Sequence, residues 1–198
     1  MRRGRAGRPL RGERAARLAC DCIASGRDPR EADAIVAADP EAGFTTLVAF
    51  GVTSDAIEGV SCGDSAVLLV CGSGAVAELT QYQHKNPPVG SGEAVFVSFE
   101  MPLVTPWKVL AMTDGVWKYA GWDRVRGLAS RLGGEELLAA LRAAARLPRS
   151  GQFPDDFTVV LIEADWPQCI ALLKCCRSGR SPRWSGPTRS APPASRTS

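Results

Sequence analysis

Three acidic positions in this 198-residue chain stand where apolar runs give way to turns. Asp64 lies in Cys62-Gly-Asp-Ser65, directly before the apolar run Ala66-Val-Leu-Leu-Val-Cys71. Asp114 follows the run Val109 to Met112 and precedes Gly115. Asp155, with its neighbour Asp156, precedes Phe157-Thr-Val-Val-Leu-Ile162. Carboxylates packed together repel one another, so a close cluster requires a cation or protonation. Oxygen ligands of this kind suit a hard cation such as Mg2+ or Mn2+. Two such cations, bridged by carboxylates and waters, bind phosphate oxygens and generate a hydroxide near neutral pH. Asp64, Asp114 and Asp155 are therefore candidate metal ligands of a phosphate-ester hydrolase that needs no His or Cys nucleophile. The structural alternative for Asp114 is a helix N-cap, and spacing alone does not choose between them.

Other groups fit chemistry less well. His84 is the one histidine of the chain. It could serve as a general acid, and a solvated loop histidine is the competing reading. The loop Gln81 to Gly92 is rich in glycine but lacks the strand–loop–Lys–Ser/Thr pattern of a phosphate-binding P-loop. Trp107, Trp117 and Trp122 read as packing anchors.

The elements that must carry the aspartates follow from periodicity. Helices are expected over Gly12 to Ser25, with Leu18, Cys22 and Ile23 at helical spacing, and from Asp28-Pro29 to just before Asp39, with Asp28 as N-cap. Gly43 to Thr53 reads as a strand buried on both faces. Strands follow at Ile57 to Ser61, Ala66 to Cys71, Val76 to Leu79, Glu93 to Phe99, Trp107 to Met112 and Phe157 to Ile162. The short connections between successive strands imply antiparallel pairing. Between the last two strands come one helical turn at Val116 to Tyr119 and helices at Trp122 to Leu132 and Glu135 to Leu147, the last stopped by Pro148.

Composition bounds the rest. The length suits one domain with a substantial core. No apolar run is long enough to span a membrane, and no signal-type stretch follows the N-terminal arginines. Seven cysteines, an odd number without zinc-ligand spacing, read as reduced thiols of a cytoplasmic protein. Residues 1–17 carry seven Arg against Glu13, and residues 169–198 carry Lys174 and five Arg with no acid, leaving 11 basic and 20 acidic residues between them. Three segments are expected: a disordered basic arm over 1–11, a folded domain over 12–166, and a mostly disordered basic Ser/Pro/Arg tail over 167–198 with a short apolar stretch at Ile170 to Leu173. Basic ends can bind nucleic acid, but Trp184 is the one aromatic residue among these charges.

Gly43-Phe-Thr-Thr46, Cys62-Gly-Asp-Ser65, Leu79-Thr80, Met112-Thr-Asp-Gly115 and Asp155-Asp-Phe-Thr-Val-Val160 occur in that order. Together they resemble the later motifs of the metal-dependent serine/threonine protein phosphatases of the 2C class, over roughly residues 12 to 165. The resemblance implies an α+β fold: two packed antiparallel sheets flanked by helices, a four-layer αββα sandwich, with metals in a cleft at one edge. It implies that Asp114 and Asp155 are metal-ligand aspartates for Mg2+ or Mn2+, and that Asp64 serves a weaker additional metal position. Asp156 stands where the family often has Asn. The family's opening Asp-Gly motif, whose Asp bridges both metals, has no counterpart before Thr45, and Asp21, Asp33 and Asp39 are not followed by Gly. An N-terminally incomplete sandwich with an unpaired sheet edge is therefore expected. Three functions follow: a phosphatase acting on phosphoserine or phosphothreonine protein; an inactive or truncated phosphatase-like binding or regulatory domain; and a basic-tailed nucleic-acid binder.

Overall fold

The computed structural model of the chain describes residues 11–164. The expected arm, apart from Arg11, and the expected tail with residues 170–173 lie outside the described residues. The chain begins with α1 (Arg11–Ala24) and α2 (Glu31–Ala37). Strands β1 (Leu47–Val52), β2 (Ala56–Cys62), β3 (Ala66–Cys71), β4 (Val76–Glu78), β5 (Val97–Pro102) and β6 (Trp107–Met112) follow. Three helices, α3 (Asp114–Ala120), α4 (Trp122–Arg131) and α5 (Gly134–Ala144), precede the last described strand, β7 (Val159–Ala164).

The strands form two sheets, ordered β1-β2-β5 and β4-β3-β6-β7, and every pair is antiparallel. β3 shows why the layers stack as they do. Its residues Ala66 to Val70 are all buried, because each face of the strand meets a different core. Val67 and Leu69 point between the sheets, where they join Ile57, Leu103, Trp107 and Val109. Ala66, Leu68 and Val70 point the other way, into a core with Val116, Val125, Ala129, Leu137 and Leu141 from α3, α4 and α5. A third core holds Ala15, Ala19 and Cys22 of α1 and Val36 of α2 against Leu47, Cys62 and Val89. The order helix, sheet, sheet, helix is the expected αββα sandwich.

One buried charge fastens the outer helices to the second sheet. Lys108 of β6 has no exposed surface. Its Nζ donates to the Leu132 carbonyl at the end of α4, while Glu163, its register partner on β7, accepts from the Gly134 N–H at 3.1 Å, where α5 begins. Burial lowers the Lys108 pKa, and the nearby Glu163 carboxylate opposes that shift.

Three local expectations need correction. The first concerns 43–53, expected as a strand buried on both faces. The strand is shorter, Leu47–Val52, and only Leu47 is buried. β1 is an edge strand, paired with β2 alone among the described residues, and α1 and α2 cover just its beginning. Thr45 bridges to Val89 instead of extending the strand. This is the unpaired edge that the missing opening motif predicts.

Second, the strand expected at 93–99 runs over Val97–Pro102. The preceding backbone is diverted to a carboxylate: nearly buried Asp33 of α2 accepts N–H groups from Gly90 at 2.7 Å, Gly92 at 3.2 Å and Ala94 at 3.0 Å. Third, Asp28 does not cap α2. Its Oδ1 accepts the Arg30 N–H at 2.9 Å, closing a turn, and the helix starts at Glu31.

Asp33 is therefore the clamp between the helical layer and the loop that leads to β5. Replacing it by Ala leaves three backbone donors without their acceptor and should cost about 3 kcal/mol. Urea unfolding checks this through a lower midpoint at unchanged slope.

Candidate active site

Each candidate aspartate is delivered by a different strand connection. Asp64 sits in the turn between β2 and β3. Gly63 makes that turn with φ of +129°, and a Cβ there would lie 2.4 Å from the Thr46 Cβ, so the tight approach needs glycine. Asp114 is the first residue of α3, immediately after β6. Asp155 lies in the loop that enters β7.

Thr113 draws the last two connections together. Its N–H donates to the Thr158 carbonyl at 3.1 Å, and its Oγ1 donates to the Asp156 carbonyl at 3.0 Å and accepts from the Thr158 N–H at 3.1 Å. Gly115 completes the contact: a Cβ there would lie 2.2 Å from the Asp156 carbonyl oxygen and 3.1 Å from the Asp155 Cβ. Asp114 and Asp155, 41 positions apart in the sequence, are thus neighbours at the ends of adjacent strands.

Two lysines complete the cluster. Lys118, one turn along α3, donates to Asp114 Oδ2, and its Nζ lies 3.9 Å from Asp64 Oδ2. Lys85, from the loop before β5, reaches Asp64 Oδ2 at 2.6 Å. Lys118 also feels the Asp155 charge. Trp117 braces the group by donating its Nε1–H to the Asp64 carbonyl at 3.1 Å and stacking on Trp122 at 5.2 Å. The Lys118 ammonium lies 5.6 Å from the Trp117 ring centre.

Burial pushes the Asp114 pKa up, but the hydrogen bond and charge of Lys118, with help from the Gly115 N–H and Lys85, outweigh it and hold the carboxyl below its usual range. Lys118 is raised in turn, first by its hydrogen bond to Asp114.

Sequence reading found the three aspartates but not the lysines. The Asp114–Lys118 spacing of four, with the acid on the N-terminal side, is a standard helical ion pair and was the available signal. Lys85 gave no comparable signal, because a loop brings it in. His84 is exposed, and it is its carbonyl that is used, accepting the Gly63 N–H at 2.9 Å. Of the acids nearer the start, Asp33 is committed to the loop at 90–94. Asp39 pairs with Arg14 at 2.7 Å, and the Arg14 hydrogen bond holds its pKa low.

A cavity of about 600 Å³ opens beside Asp155, lined by Arg142, Phe153, Pro154, Asp156 and Phe157. Its aromatic wall is a stacked pair, Phe153 on Phe157 at 4.8 Å.

The donor set suits one hard cation. Hard carboxylate oxygens from Asp114 and Asp64 already share a positive atom, the Lys118 ammonium, which marks where a cation belongs. Among the described residues no group of three or more His, Cys, Asp or Glu side chains could hold a metal ion. A cation held at Asp114 and Asp64 would rest on two carboxylates and waters, the kind of coordination Mg2+ uses.

Comparison with known proteins agrees with the geometry. The family model of Stage II sporulation protein E (SpoIIE) matches residues 30–165. The chain belongs to this family, and its domain is a 2C-type, phosphatase-like one. No curated protein sequence matches.

Solved structures share the fold. The serine/threonine phosphatase PstP/Ppp of Mycobacterium tuberculosis is 18% identical, with TM-score 0.63, covering 76% of this chain and 81% of that one. The catalytic domain of PstP in complex with two manganese ions is 20% identical, with TM-score 0.60, covering 76% and 80%. The phosphatase domain of the cell-fate determinant SpoIIE from Bacillus subtilis, presoaked with manganese, is 20% identical, with TM-score 0.53, covering 81% and 76%.

Two predictions follow from the contacts. Gly115→Ala should drive Asp155 and Asp156 away from Asp114, lowering stability by about 1–3 kcal/mol through overpacking and weakening Mn2+ binding, as read by denaturation and calorimetry. The lowered Asp114 pKa contributes stability that is present above about pH 4 and is lost as pH falls through the folded value. Asp114→Asn should therefore show a shallower acid limb than the unmodified protein when unfolding free energy is measured from pH 7 to pH 2.

Proposed function

We propose that this chain is a metal-dependent protein phosphatase acting on phosphoserine or phosphothreonine in proteins, with Asp114, Asp155 and Asp64 as its metal-site residues. The observation that carries this reading is the pairing of Asp64 and Asp114 through one ammonium, that of Lys118, with Asp155 held beside Gly115 in the adjoining loop. Membership of the SpoIIE family and the shared fold with PstP, solved with manganese, support the class and the choice of Mg2+ or Mn2+.

Charge explains why a metal is needed. Asp64, Asp114 and Asp155 carry three negative charges, and Lys85 and Lys118 return two. A phosphate dianion meets a net negative cleft and is repelled. A bound divalent cation would cancel that charge even with Lys118 displaced, screen the phosphoryl oxygens and activate water.

The chain's own residues do the rest. Asp114 and Asp64 would hold the cation, with Asp155 fixed beside them by Thr113 and Gly115. Lys85, more than half exposed at the rim, is free to turn toward an incoming phosphate. The cavity at Arg142 and Phe153, which has Asp155 in its wall, would take the polypeptide beside the phosphorylated residue. The four described free cysteines, Cys20, Cys22, Cys62 and Cys71, support a reducing, cytoplasmic setting. Among the described residues no helix is long and apolar enough to cross a membrane.

A second reading is favoured by the two ammonium groups already neutralising Asp64 and Asp114: a phosphatase-like domain that binds a protein partner without turning it over. Hydrolysis of a phosphoserine peptide with and without Mn2+ separates the two. The phosphatase reading expects Mn2+-dependent release of phosphate, reduced on the order of 100-fold by Asp114→Ala. Absence of release at saturating Mn2+ by the folded protein would leave the binding domain.

A further inference from the structure

We infer that Lys118 is an internal cation that competes with the divalent metal for Asp114 and Asp64, so that the resting site is closed by its own side chain. The inference rests on the proposed metal site and concerns how that site is controlled.

The contact is built into the fold. Lys118 stands four residues after Asp114 on α3, so helix geometry sets the ammonium above that carboxylate. The same Nζ is 3.9 Å from Asp64, on a separate turn. It thus spans both carboxylates through the oxygen atoms, Oδ2 in each case, that face the shared centre. A metal bound there needs those atoms and would repel the ammonium. The two cations exclude each other.

The side chain is also placed to leave. Lys118 is 37% exposed, against 25% for Asp114 and 17% for Asp64, so its route to solvent is shorter than theirs. Exposed ion pairs are weak, and a divalent cation at modest concentration can displace this one. The Trp117 face, held by its bond to the Asp64 carbonyl and its stacking on Trp122, offers the ammonium a nearby resting place. Lys85 cannot play the same part, because it pairs with Asp64 alone and comes from a loop.

Mn2+ titration followed by the electron paramagnetic resonance of the free ion tests the inference without reference to turnover. Three full-length proteins are compared: unmodified, Lys118→Met, which keeps the apolar stem, and Lys118→Arg, which keeps the charge. Circular dichroism confirms that each is folded. Lys118→Met should bind Mn2+ on the order of ten-fold tighter, and Lys118→Arg no tighter than the unmodified protein. Adding Asp114→Asn to Lys118→Met should abolish the gain. Equal or weaker binding by Lys118→Met, or an equal gain in Lys118→Arg, overturns the competition and leaves the metal site standing. No Mn2+ binding by any of the three folded proteins overturns the metal site and the inference together.

Discussion

Like charges cannot be packed at the end of a sheet without something positive between them, and this constraint organises the cleft. β6 delivers Asp114, the loop into β7 delivers Asp155 and the turn between β2 and β3 delivers Asp64. Each arrives on rigid backbone, through Thr113, Gly115 and Gly63, so none can retreat from the others. The positive charge in the structure comes from the protein itself, through Lys118 and Lys85. Two of the three negative charges are thus offset before any ion is added, and that separates this chain's cleft from an open acidic one.

The supporting architecture follows from burial. β3 and β6 are buried on both faces because they divide two cores, and this central sheet holds the aspartate-bearing end. The helices α4 and α5 are tied to it by a buried lysine and a glutamate and not by apolar contact alone. On the other side, α1 and α2 cover only part of the first sheet. Asp33 compensates by gathering three backbone donors of the long loop. The edge of β1 is left without a partner among the described residues. The resemblance implies a bridging aspartate in the region before this point, and two aspartates this chain has there, Asp33 and Asp39, are spent on structure.

Much of this was legible in the sequence. The strand ends bearing Asp64, Asp114 and Asp155 and the antiparallel order follow from short apolar runs broken by Gly and Asp, and the αββα layering follows from the resemblance to the 2C-class phosphatases. What was not legible depended on contacts between distant segments. Asp33 lies on an amphipathic helix and carries no mark of its target, so the diversion of residues 90–94 and the late start of β5 could not be read. β1 looks like a core strand by composition, and only the absence of a second neighbour makes it an edge. Lys118 was visible as a helical partner of Asp114, but its reach to Asp64 needs the third dimension. Lys85 comes from a polar loop whose path no local pattern defines.

The account stands on one cation occupying one place, whether ammonium or metal. Anomalous diffraction from crystals soaked in Mn2+ tests it most directly. The account predicts a single strong peak at direct-bond distance from the Asp114 carboxylate, about 2.0–2.3 Å, with the Lys118 side chain turned out toward solvent. Crystals fully exposed to Mn2+ that keep Lys118 on Asp114, with no peak at the three aspartates, would contradict it.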